Sequence, residues 1–195
     1  MNFRLYGLTG GVGMGKSTIS TLLKEMGIEC VDSDDLARSV VGPGKPALER
    51  IRNEFGDEYI RPQGVLDRSK LASLVFENEE QRNKLERILH PMIRNLWQEE
   101  VRQWRSDKIE KGVVIIPLLF EVSLEVEFDR IICIASTVET QRERLKLRGW
   151  KTDQISSRIK SQMSIIKKME RSDCVIWNEG SIENLKRQLD RIFYD

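Results

Sequence analysis

A glycine-rich octapeptide near the start of the chain constrains the fold more than any other segment. Residues 10–17 read G-G-V-G-M-G-K-S and match the phosphate-binding loop pattern G-x-x-x-x-G-K-[ST] without interruption. An apolar run precedes the loop, and Ile19, Leu22, Leu23 and Met26 follow it with the spacing of one helix face. This strand, loop and helix order predicts a nucleoside triphosphate site, because the glycines let main-chain N–H groups turn towards phosphate oxygens.

The last two residues of the loop carry its chemistry. Lys16 is expected to reach the β- and γ-phosphates, and Ser17 is expected to offer its hydroxyl to a bridging Mg²⁺. The alternative is a glycine-rich turn that only joins a strand to a helix. Such a turn has no reason to place Lys-Ser at this offset from four glycines, so we favour the phosphate site.

Charge and hydropathy exclude several classes of function. The 195 residues include 32 Lys and Arg against 31 Asp and Glu, a net charge of +1, which favours neither nucleic acid nor an anionic membrane as a partner. No run approaches the roughly 18 to 20 apolar residues of a membrane span, and no signal-peptide hydrophobic region is present. We expect a soluble cytoplasmic protein, a monomer or weak homo-oligomer, in which Cys30, Cys133 and Cys174 are reduced.

Short apolar runs alternate with longer amphipathic segments along most of the chain. The predicted strands are residues 3–8, 28–31, 113–116, 130–134 and 174–177. Gly27 and Gly112 are expected to close helices, and Ser181 is expected to cap the last one. The pattern predicts an α/β protein of the P-loop NTPase type, a three-layer fold with a five-stranded parallel sheet covered by helices on both faces.

Two segments depart from this alternation. Residues 46–111 show helical patterns without a strand, which predicts a helical insertion with Trp97 and Trp104 in its core. Residues 142–171 carry ten basic and three acidic residues, a local net charge of +7. A basic segment is often only a solvated helix face, but beside a phosphate loop it is also typical of a helical lid that brings guanidinium groups onto the transferred phosphoryl group.

Acidic residues follow the second predicted strand, at the sheet edge where open α/β sheets bind ligands. Asp32 and Asp34 alternate with Ser33, so both carboxylates are expected to point the same way while the extended geometry lasts. One carboxylate there would orient and deprotonate an acceptor hydroxyl, and another would hold a water on Mg²⁺. Ser33 or Asp34 is equally suited to cap a following helix, which accounts for one of these residues but not for three acids, including Asp35.

GTPase and motor ATPase markers are missing. The nearest string to a guanine-reading Asn-Lys-x-Asp is residues 83–86, which ends in Glu86 and lies within a helical pattern. The third predicted strand runs into Pro117 without an Asp at its end. A small-molecule kinase therefore fits the residues best.

Seven short strings, in order along nearly the whole chain, resemble those of the dephospho-CoA kinase family. They are Gly7-Leu8-Thr9-Gly10-Gly11, Asp32-Ser33-Asp34 with Leu36-Ala37-Arg38, Leu66-Asp67-Arg68, His90-Pro91, Pro117-Leu118-Leu119-Phe120-Glu121, Arg158-Ile159 with Gln162, and Asn178 with Gly180. Their order and spacing are specific, although each string beyond the loop is weak alone. The resemblance implies ATP-dependent phosphorylation of the ribose 3′-hydroxyl of dephospho-coenzyme A, the last step of coenzyme A synthesis.

The resemblance also implies roles for single residues. Asp34 is the implied base on the 3′-hydroxyl, Lys16 holds the phosphates, and Arg144 neutralises the transition state. The implied ATP-binding residues are Gly11, Val12, Gly13, Met14, Gly15, Lys16, Ser17, Thr18, Arg144, Arg148 and Asn178. The implied acceptor-binding residues are Thr9, Asp34, Arg38, His90, Arg94, Leu118 and Arg158, of which Arg158 is also a candidate phosphate ligand. The implied metal is Mg²⁺ on Ser17, with Asp32 contributing through a water, and ATP is the co-substrate.

Structural alternatives stay open at two of these positions. His90, the only histidine, precedes Pro91 and is equally suited to mark a helix boundary. The resemblance places Asn178 near the adenine, but an Asn before Glu-Gly is also typical of a turn. One position departs from the family, which often has Asp two residues before the proline of the P-L-L-F-E string, where this chain has Ile115. That shifts a metal or substrate role towards Asp32, Asp34 and Glu121.

We therefore expect a single kinase unit over residues 1–195. Its core would comprise about 1–45, 112–140 and 172–195, with a helical acceptor-binding insertion at about 46–111 and a lid at about 141–171. Two rivals are a kinase of the same architecture that acts on a nucleoside monophosphate or a sugar, and a nucleotide-operated binding module. The first differs only in its acceptor pocket, and the acidic string and basic lid argue against the second.

Overall fold

The computed structural model describes residues 3–194. Its five strands are β1 Arg4–Gly10, β2 Glu29–Asp32, β3 Lys111–Ile115, β4 Arg130–Ala135 and β5 Cys174–Trp177. They form one sheet in the order β2-β3-β1-β4-β5, and every neighbouring pair is parallel. The predicted α/β class and the five-stranded parallel sheet are confirmed, with strand ends shifted by one or two residues.

The described residues also form nine α-helices. They are α1 Lys16–Glu25, α2 Ser33–Val40, α3 Pro46–Phe55, α4 Arg68–Glu77, α5 Glu79–Ser106, α6 Val138–Leu147, α7 Thr152–Lys160, α8 Ile165–Glu170 and α9 Ile182–Tyr194. None of the helices described in residues 3–194 has the length and apolar character needed to cross a bilayer.

The chain divides into two compact units, and the first comprises residues 1–32 and 104–195. Alternate residues of the strands face opposite sides of the sheet. On one side, Leu8, Ile132 and Ile134 pack with Ile19 of α1 and Leu189 of α9 in a fully buried apolar cluster. On the other side, α8 contacts β1 and β4. The sheet therefore lies between two helical layers, as predicted.

The second unit comprises residues 33–103 and contains α2, α3, α4 and most of α5. Its apolar cluster is separate, with Ala47, Leu48 and Ile51 of α3 fully or almost fully buried beside Leu71 of α4. The region between β2 and β3 is thus helical, as the sequence predicts. The bounds of about 46–111 for the insertion, and of about 141–171 for the lid, stay predictions.

One local expectation was wrong, and one alternative left open is excluded. Gly112 does not close a helix, because α5 ends at Ser106 and Gly112 lies in β3. A Cβ atom on Gly112 would lie 2.4 Å from Cε3 of Trp104, so the glycine makes room for the indole. His90 does not mark a helix boundary, because α5 continues through Pro91. Packing of Leu89 and Met92 against the second core, on both sides of the proline, outweighs its local preference.

Other predicted helix ends are confirmed. Gly27 has a φ of +71°, its N–H donates to the carbonyl of Lys24, and the N–H of Ile28 donates to that of Leu23, which closes α1. At the start of α9, the hydroxyl of Ser181 accepts a hydrogen bond from the N–H of Asn184.

Candidate active site

The glycine-rich loop leaves β1 at its carboxyl end and leads directly into α1. Because α1 begins at Lys16, the unpaired N–H groups of its first turn lie at the loop, and that turn contains no acidic residue. Nζ of Lys16 donates to the carbonyl oxygens of Gly10 and Gly11 at 2.8 and 3.0 Å. The loop therefore closes on an ammonium group and presents main-chain donors, which suits an anionic ligand.

Gly13 shows why the loop needs residues without side chains. Its φ is +76°, and a Cβ atom there would lie 2.8 Å from Cγ of Leu145 in α6. Leu145 is fully buried, so it has little freedom to move. The close approach of α6 to the loop thus depends on a glycine with a left-handed backbone.

Three polar side chains distant in sequence hold the loop. Gln162 accepts a hydrogen bond from the N–H of Val12 at 2.9 Å, and Gln141 donates to the carbonyl of Val12 at 2.7 Å. Asn178 donates through Nδ2 to the carbonyl of Met14 at 2.8 Å. Asn178 is buried, and its side chain supports the loop. The residue therefore does more than form a turn. Its predicted proximity to adenine stays a prediction.

Of the three arginines predicted to bind phosphate, Arg144 of α6 contacts the segment that holds the loop. Its Nη2 donates to the carbonyl of Asn178 at 3.0 Å. Its Nη1 is buried and has no hydrogen-bond partner among residues 3–194. A buried guanidinium donor without a partner is costly, and an anion such as a phosphate would satisfy it.

The other two predicted arginines lie at the surface. Arg148 follows the last residue of α6, and Arg158 lies in α7; both are exposed. The side chain of Arg148 makes no hydrogen bond or ion pair within the described part of the chain. Their assignment to phosphate or acceptor stays a prediction.

Glu179 is a structural residue that the sequence did not single out. It accepts hydrogen bonds from the N–H and hydroxyl of Thr137, at 2.7 and 2.9 Å, and from the hydroxyl of Thr140 at 3.0 Å. The main-chain N–H of Thr137, more than any other partner, holds the pKa of the Glu179 carboxyl below its usual value. This anchors the segment that contains Asn178 to the start of α6, which carries Arg144.

The acidic string does not have the geometry that the sequence suggested. Asp32 is the last residue of β2, in register with Ile115 of β3, which itself pairs with Leu8 of β1. Ser33 begins α2, so Asp34 and Asp35 lie in the first turn of a helix, and the extended alternation predicted for Asp32 and Asp34 is wrong. Carboxylates are favoured at that position by the helix dipole, which accounts for the early start of α2.

The end of β3 is fixed by a buried lysine that the sequence interpretation had counted with the lid cations. Lys168 is fully buried; its Nζ donates to the carbonyl of Pro117 at 2.5 Å and lies 2.9 Å from Oε1 of Glu121. The hydroxyl of Thr9, also fully buried, donates to the same carbonyl at 3.1 Å. Leu118 follows this anchored peptide and is half-buried.

Near the end of β3, neither Ile115 nor Glu121 offers a metal ligand. Ile115, where the family often has Asp, is fully buried in the apolar cluster. The Glu121 carboxylate is occupied by Lys168 and by the N–H of Met163, which donates to Oε1 at 2.8 Å. The candidates for a metal role are thus Ser17, Asp32 and Asp34. The hydroxyl of Ser17 is in an exposed position and makes no hydrogen bond within residues 3–194.

The second unit contains the remaining predicted acceptor residues. The guanidinium of Arg38 forms an exposed ion pair with Asp35 at 2.8 Å, and its carbonyl accepts a hydrogen bond from Nη2 of Arg68 at 2.8 Å. His90 and Arg94 are four residues apart in α5, which places them on one face of that helix. Their roles stay predictions.

The Leu66-Asp67-Arg68 string has a structural explanation. Leu66 belongs to the second apolar cluster, and Asp67 caps α4 by accepting from the N–H of Lys70. The Arg61 guanidinium and the Ser69 hydroxyl hold the pKa of Asp67 well below its usual value. Nη2 of Arg68 donates to the carbonyl of Arg38 near the end of α2, so this string helps to hold the main chain at Arg38.

The phosphate loop at the carboxyl edge of a parallel sheet, with a buried unpaired arginine donor beside it, defines a P-loop phosphotransferase, a kinase. The sequence model of the family described as dephospho-CoA kinase matches residues 4–184. A dephospho-CoA kinase of Bdellovibrio bacteriovorus is 40% identical over 186 residues, which cover 95% of this chain and 92% of that protein. The chain belongs to the dephospho-CoA kinase family.

Two solved structures share the fold of this chain. A crystal structure from Thermus thermophilus has a TM-score of 0.86 at 32% identity, covering 98% of this chain and 97% of the other. A dephospho-CoA kinase from Campylobacter jejuni has a TM-score of 0.71 at 24% identity, over 96% and 94% of the two chains, and shows the same fold.

Proposed function

We propose that this chain transfers the γ-phosphoryl group of ATP to the ribose 3′-hydroxyl of dephospho-coenzyme A, giving coenzyme A and ADP. The observation that carries the proposal is the intact phosphate loop beside the buried Nη1 of Arg144, which has no hydrogen-bond partner among the described residues 3–194, in a chain of the dephospho-CoA kinase family. A structural turn needs neither the lysine nor the arginine. A kinase needs both.

The proposed ATP site is the loop from Gly11 to Gly15, in which the N–H of Val12 stays on Gln162, together with the first turn of α1. Lys16 would exchange its two carbonyl partners for oxygens of the β- and γ-phosphates, which offer it full negative charges. Arg144 keeps one hydrogen bond to Asn178 and turns its unpaired Nη1 to the phosphoryl group. Thr18 and Arg148 are proposed as further ATP contacts.

Magnesium is proposed as the metal. Ser17 offers a hydroxyl with no competing partner, and Asp32 offers a carboxylate at the end of β2; these are hard oxygen ligands, and Mg²⁺ needs only one or two from the protein beside phosphate oxygens and water. No group of three or more His, Cys, Asp or Glu side chains within residues 3–194 forms a complete metal site, which fits a metal that arrives with the nucleotide. When bound, Mg²⁺ neutralises charge on the β- and γ-phosphates.

Asp34 is proposed as the group that orients the acceptor. Its carboxylate accepts the hydrogen bond of the 3′-hydroxyl, aims the oxygen at the terminal phosphorus and takes the proton as the new bond forms. The leaving oxygen of ADP stays under Lys16. Arg144 neutralises the charge that develops on the phosphoryl oxygens, so positioning and electrostatics supply the catalysis.

Acceptor binding is proposed for Arg38, Arg94 and Arg158, and for His90, Thr9 and Leu118. Dephospho-coenzyme A carries a pyrophosphate, and guanidinium groups recognise such oxygens in a bidentate manner. Arg38 is suited to this exchange, because its ion pair with Asp35 is exposed on both sides and contributes little stability. We also propose a cytoplasmic location, a monomer or weak homo-oligomer and no nucleic-acid partner, which fits the free thiols of Cys30, Cys133 and Cys174.

The test is ADP release coupled to detection of coenzyme A by mass, with ATP, Mg²⁺ and dephospho-coenzyme A. We expect the wild-type protein to form both products in equal amounts and Asp34→Ala to lose transfer while still binding ATP. Asp35→Ala, which removes the neighbouring carboxylate of the same helical turn, is the matched control and should keep its kcat. ATP consumption without coenzyme A, or preference for a nucleoside monophosphate or sugar in an acceptor screen, would overturn the proposal.

A further inference from the structure

Two glutamine side chains hold consecutive peptide groups of the phosphate loop. Oε1 of Gln162 accepts from the N–H of Val12, which belongs to the Gly11–Val12 peptide, at 2.9 Å. Nε2 of Gln141 donates to the carbonyl of Val12, which belongs to the next peptide, at 2.7 Å. The loop fixes the orientation of both amides, because a main-chain N–H accepts nothing and a carbonyl donates nothing.

Both glutamines are themselves held in place. Gln141 lies in α6 and is 3% exposed, so its amide has no room to leave the loop. Gln162 lies between α7 and α8, and the next N–H, that of Met163, donates to Glu121 at 2.8 Å. Glu121 is in turn paired with the buried Lys168. Val12 is therefore tied to the core through two independent routes.

This arrangement also links the loop to the proposed catalytic arginine. Gln141 and Arg144 are three residues apart in α6 and so share one side of the helix. The same helix thus sets the direction of the Val12 carbonyl and the position of the Arg144 guanidinium. A rotation of the two Val12 peptide groups would turn loop N–H groups away from the phosphates, even though the sequence of the loop, with Lys16 and Ser17, is unchanged.

We propose that Gln141 and Gln162 are positioning residues that fix the Val12 peptides in the orientation that binds the triphosphate. The inference rests on the proposed function, since it assumes that the loop binds ATP. Neither glutamine touches the reacting atoms. Their effect is on ATP affinity, because they act on binding that is equally strong in the ground state and in the transition state.

The two glutamines differ in what they must supply, which gives a sharp test. Gln162 acts as an acceptor, so Gln162→Glu retains the hydrogen bond from Val12 and Gln162→Leu removes it. Gln141 acts as a donor, so Gln141→Glu and Gln141→Leu both remove it. In the nucleotide-free protein, the ¹⁵N–¹H resonance of Val12 should move upfield in Gln162→Leu and stay near its wild-type position in Gln162→Glu.

ATP binding is then measured by calorimetry without acceptor, and turnover is measured separately. Each Leu variant should raise the Kd and KM for ATP by about tenfold, the size expected for one lost buried hydrogen bond, and change the KM for dephospho-coenzyme A less than about twofold. The control is Gln154→Leu, which removes a glutamine from α7 whose amide bonds to the N–H of Lys151 and not to the loop. It should bind ATP as the wild-type protein does.

The outcomes separate this inference from the proposed function. Unchanged ATP affinity in both Leu variants, or a Val12 resonance that Gln162→Leu does not move, would overturn the positioning role even if the wild-type protein makes coenzyme A. A wild-type protein that binds ATP but makes no coenzyme A would overturn the proposed function alone, because the calorimetric and spectroscopic readouts need no acceptor.

Discussion

Asn178 and Gly15 share one small space at the base of the phosphate loop. A Cβ atom on Gly15 would lie 2.0 Å from Nδ2 of Asn178, the atom that donates to the carbonyl of Met14. Gly15 also has a φ of +104°, a conformation that other residues avoid. The hydrogen bond that holds the loop thus exists only because Gly15 has no side chain.

Gly15→Ala should therefore damage the loop for two reasons, strain and displacement of Asn178. We expect the Kd for ATP to rise by at least about tenfold, with a free energy of unfolding lowered by more than the roughly 1–2 kcal/mol of the left-handed backbone alone. Gly27→Ala is the matched control, because its φ is +71° and nothing lies within 4 Å of the added Cβ. Calorimetry and urea unfolding check both variants, and equal ATP affinity in the two would contradict the steric explanation.

Lys168 should be among the most sensitive positions for stability. Its ammonium is fully buried and bonds to the carbonyl of Pro117 and to the partly exposed carboxylate of Glu121, so its removal costs these hydrogen bonds. Lys168→Met should lower the free energy of unfolding by about 1–3 kcal/mol. The neighbouring Lys167 is exposed, so Lys167→Met should change it by less than about 0.5 kcal/mol. A similar loss in both variants, measured by urea unfolding, would show that the ion pair is not the cause.

The sequence predicted the loop, the strands and the helical character of the middle region because each depends on a local pattern of spacing. It missed the contacts that join distant segments. The bonds from Val12 to Gln162 and to Gln141 span 150 and 129 residues, and Lys168 pairs with Glu121 across 47. A glutamine or lysine has the same local pattern whether it faces solvent or the core. Gly112 was misinterpreted, and the alternative at His90-Pro91 stayed open, for the same reason: Trp104 and the second apolar cluster decide the surroundings of Gly112 and Pro91.

The Glu179 carboxylate should stabilise the folded protein at neutral pH and lose this effect at acidic pH. Its pKa is lowered in the folded protein, chiefly by the Thr137 N–H, so the unfolded chain binds the proton more readily. The stabilisation is fully present above the usual glutamate pKa of about 4.3 and is lost as the pH falls through the folded value. The difference in free energy of unfolding between wild type and Glu179→Gln should be constant from pH 6 to 8 and shrink below about pH 4, as pH-dependent urea titrations will show. A difference that grows on acidification would reverse the assignment.

Cys133 should resist thiol reagents in the folded protein. Burial raises its pKa to about 11, and the side chain has no exposed surface. Since the thiolate is the nucleophile, Cys133 should react with a chromogenic disulfide at pH 8 at least about a hundredfold more slowly than in the urea-unfolded chain. Burial also raises the pKa of Cys30, which should react slowly as well. Fast labelling of Cys133, located by mass spectrometry of the digested protein, would mean that β4 opens readily.

Arg144 should affect turnover more than nucleotide affinity. Its Nη2 is held by Asn178, and no residue in the described part of the chain bonds to the buried Nη1, so the guanidinium is oriented before the phosphoryl group arrives. Arg144→Ala should lower kcat by about 10³-fold, the lower end for an arginine that neutralises a phosphoryl transition state. Arg144→Lys keeps the charge but not the two-donor geometry, so it should recover only part of the rate.

The control for Arg144 is Arg142→Ala in the same helix. Two residues of separation place Arg142 on a different face of α6, so its removal should leave kcat within about twofold of wild type. Steady-state kinetics with ATP and dephospho-coenzyme A compare the three variants. If Arg144→Ala and Arg142→Ala lowered kcat equally, general loss of positive charge would explain the effect and the unpaired Nη1 would have no special part in catalysis.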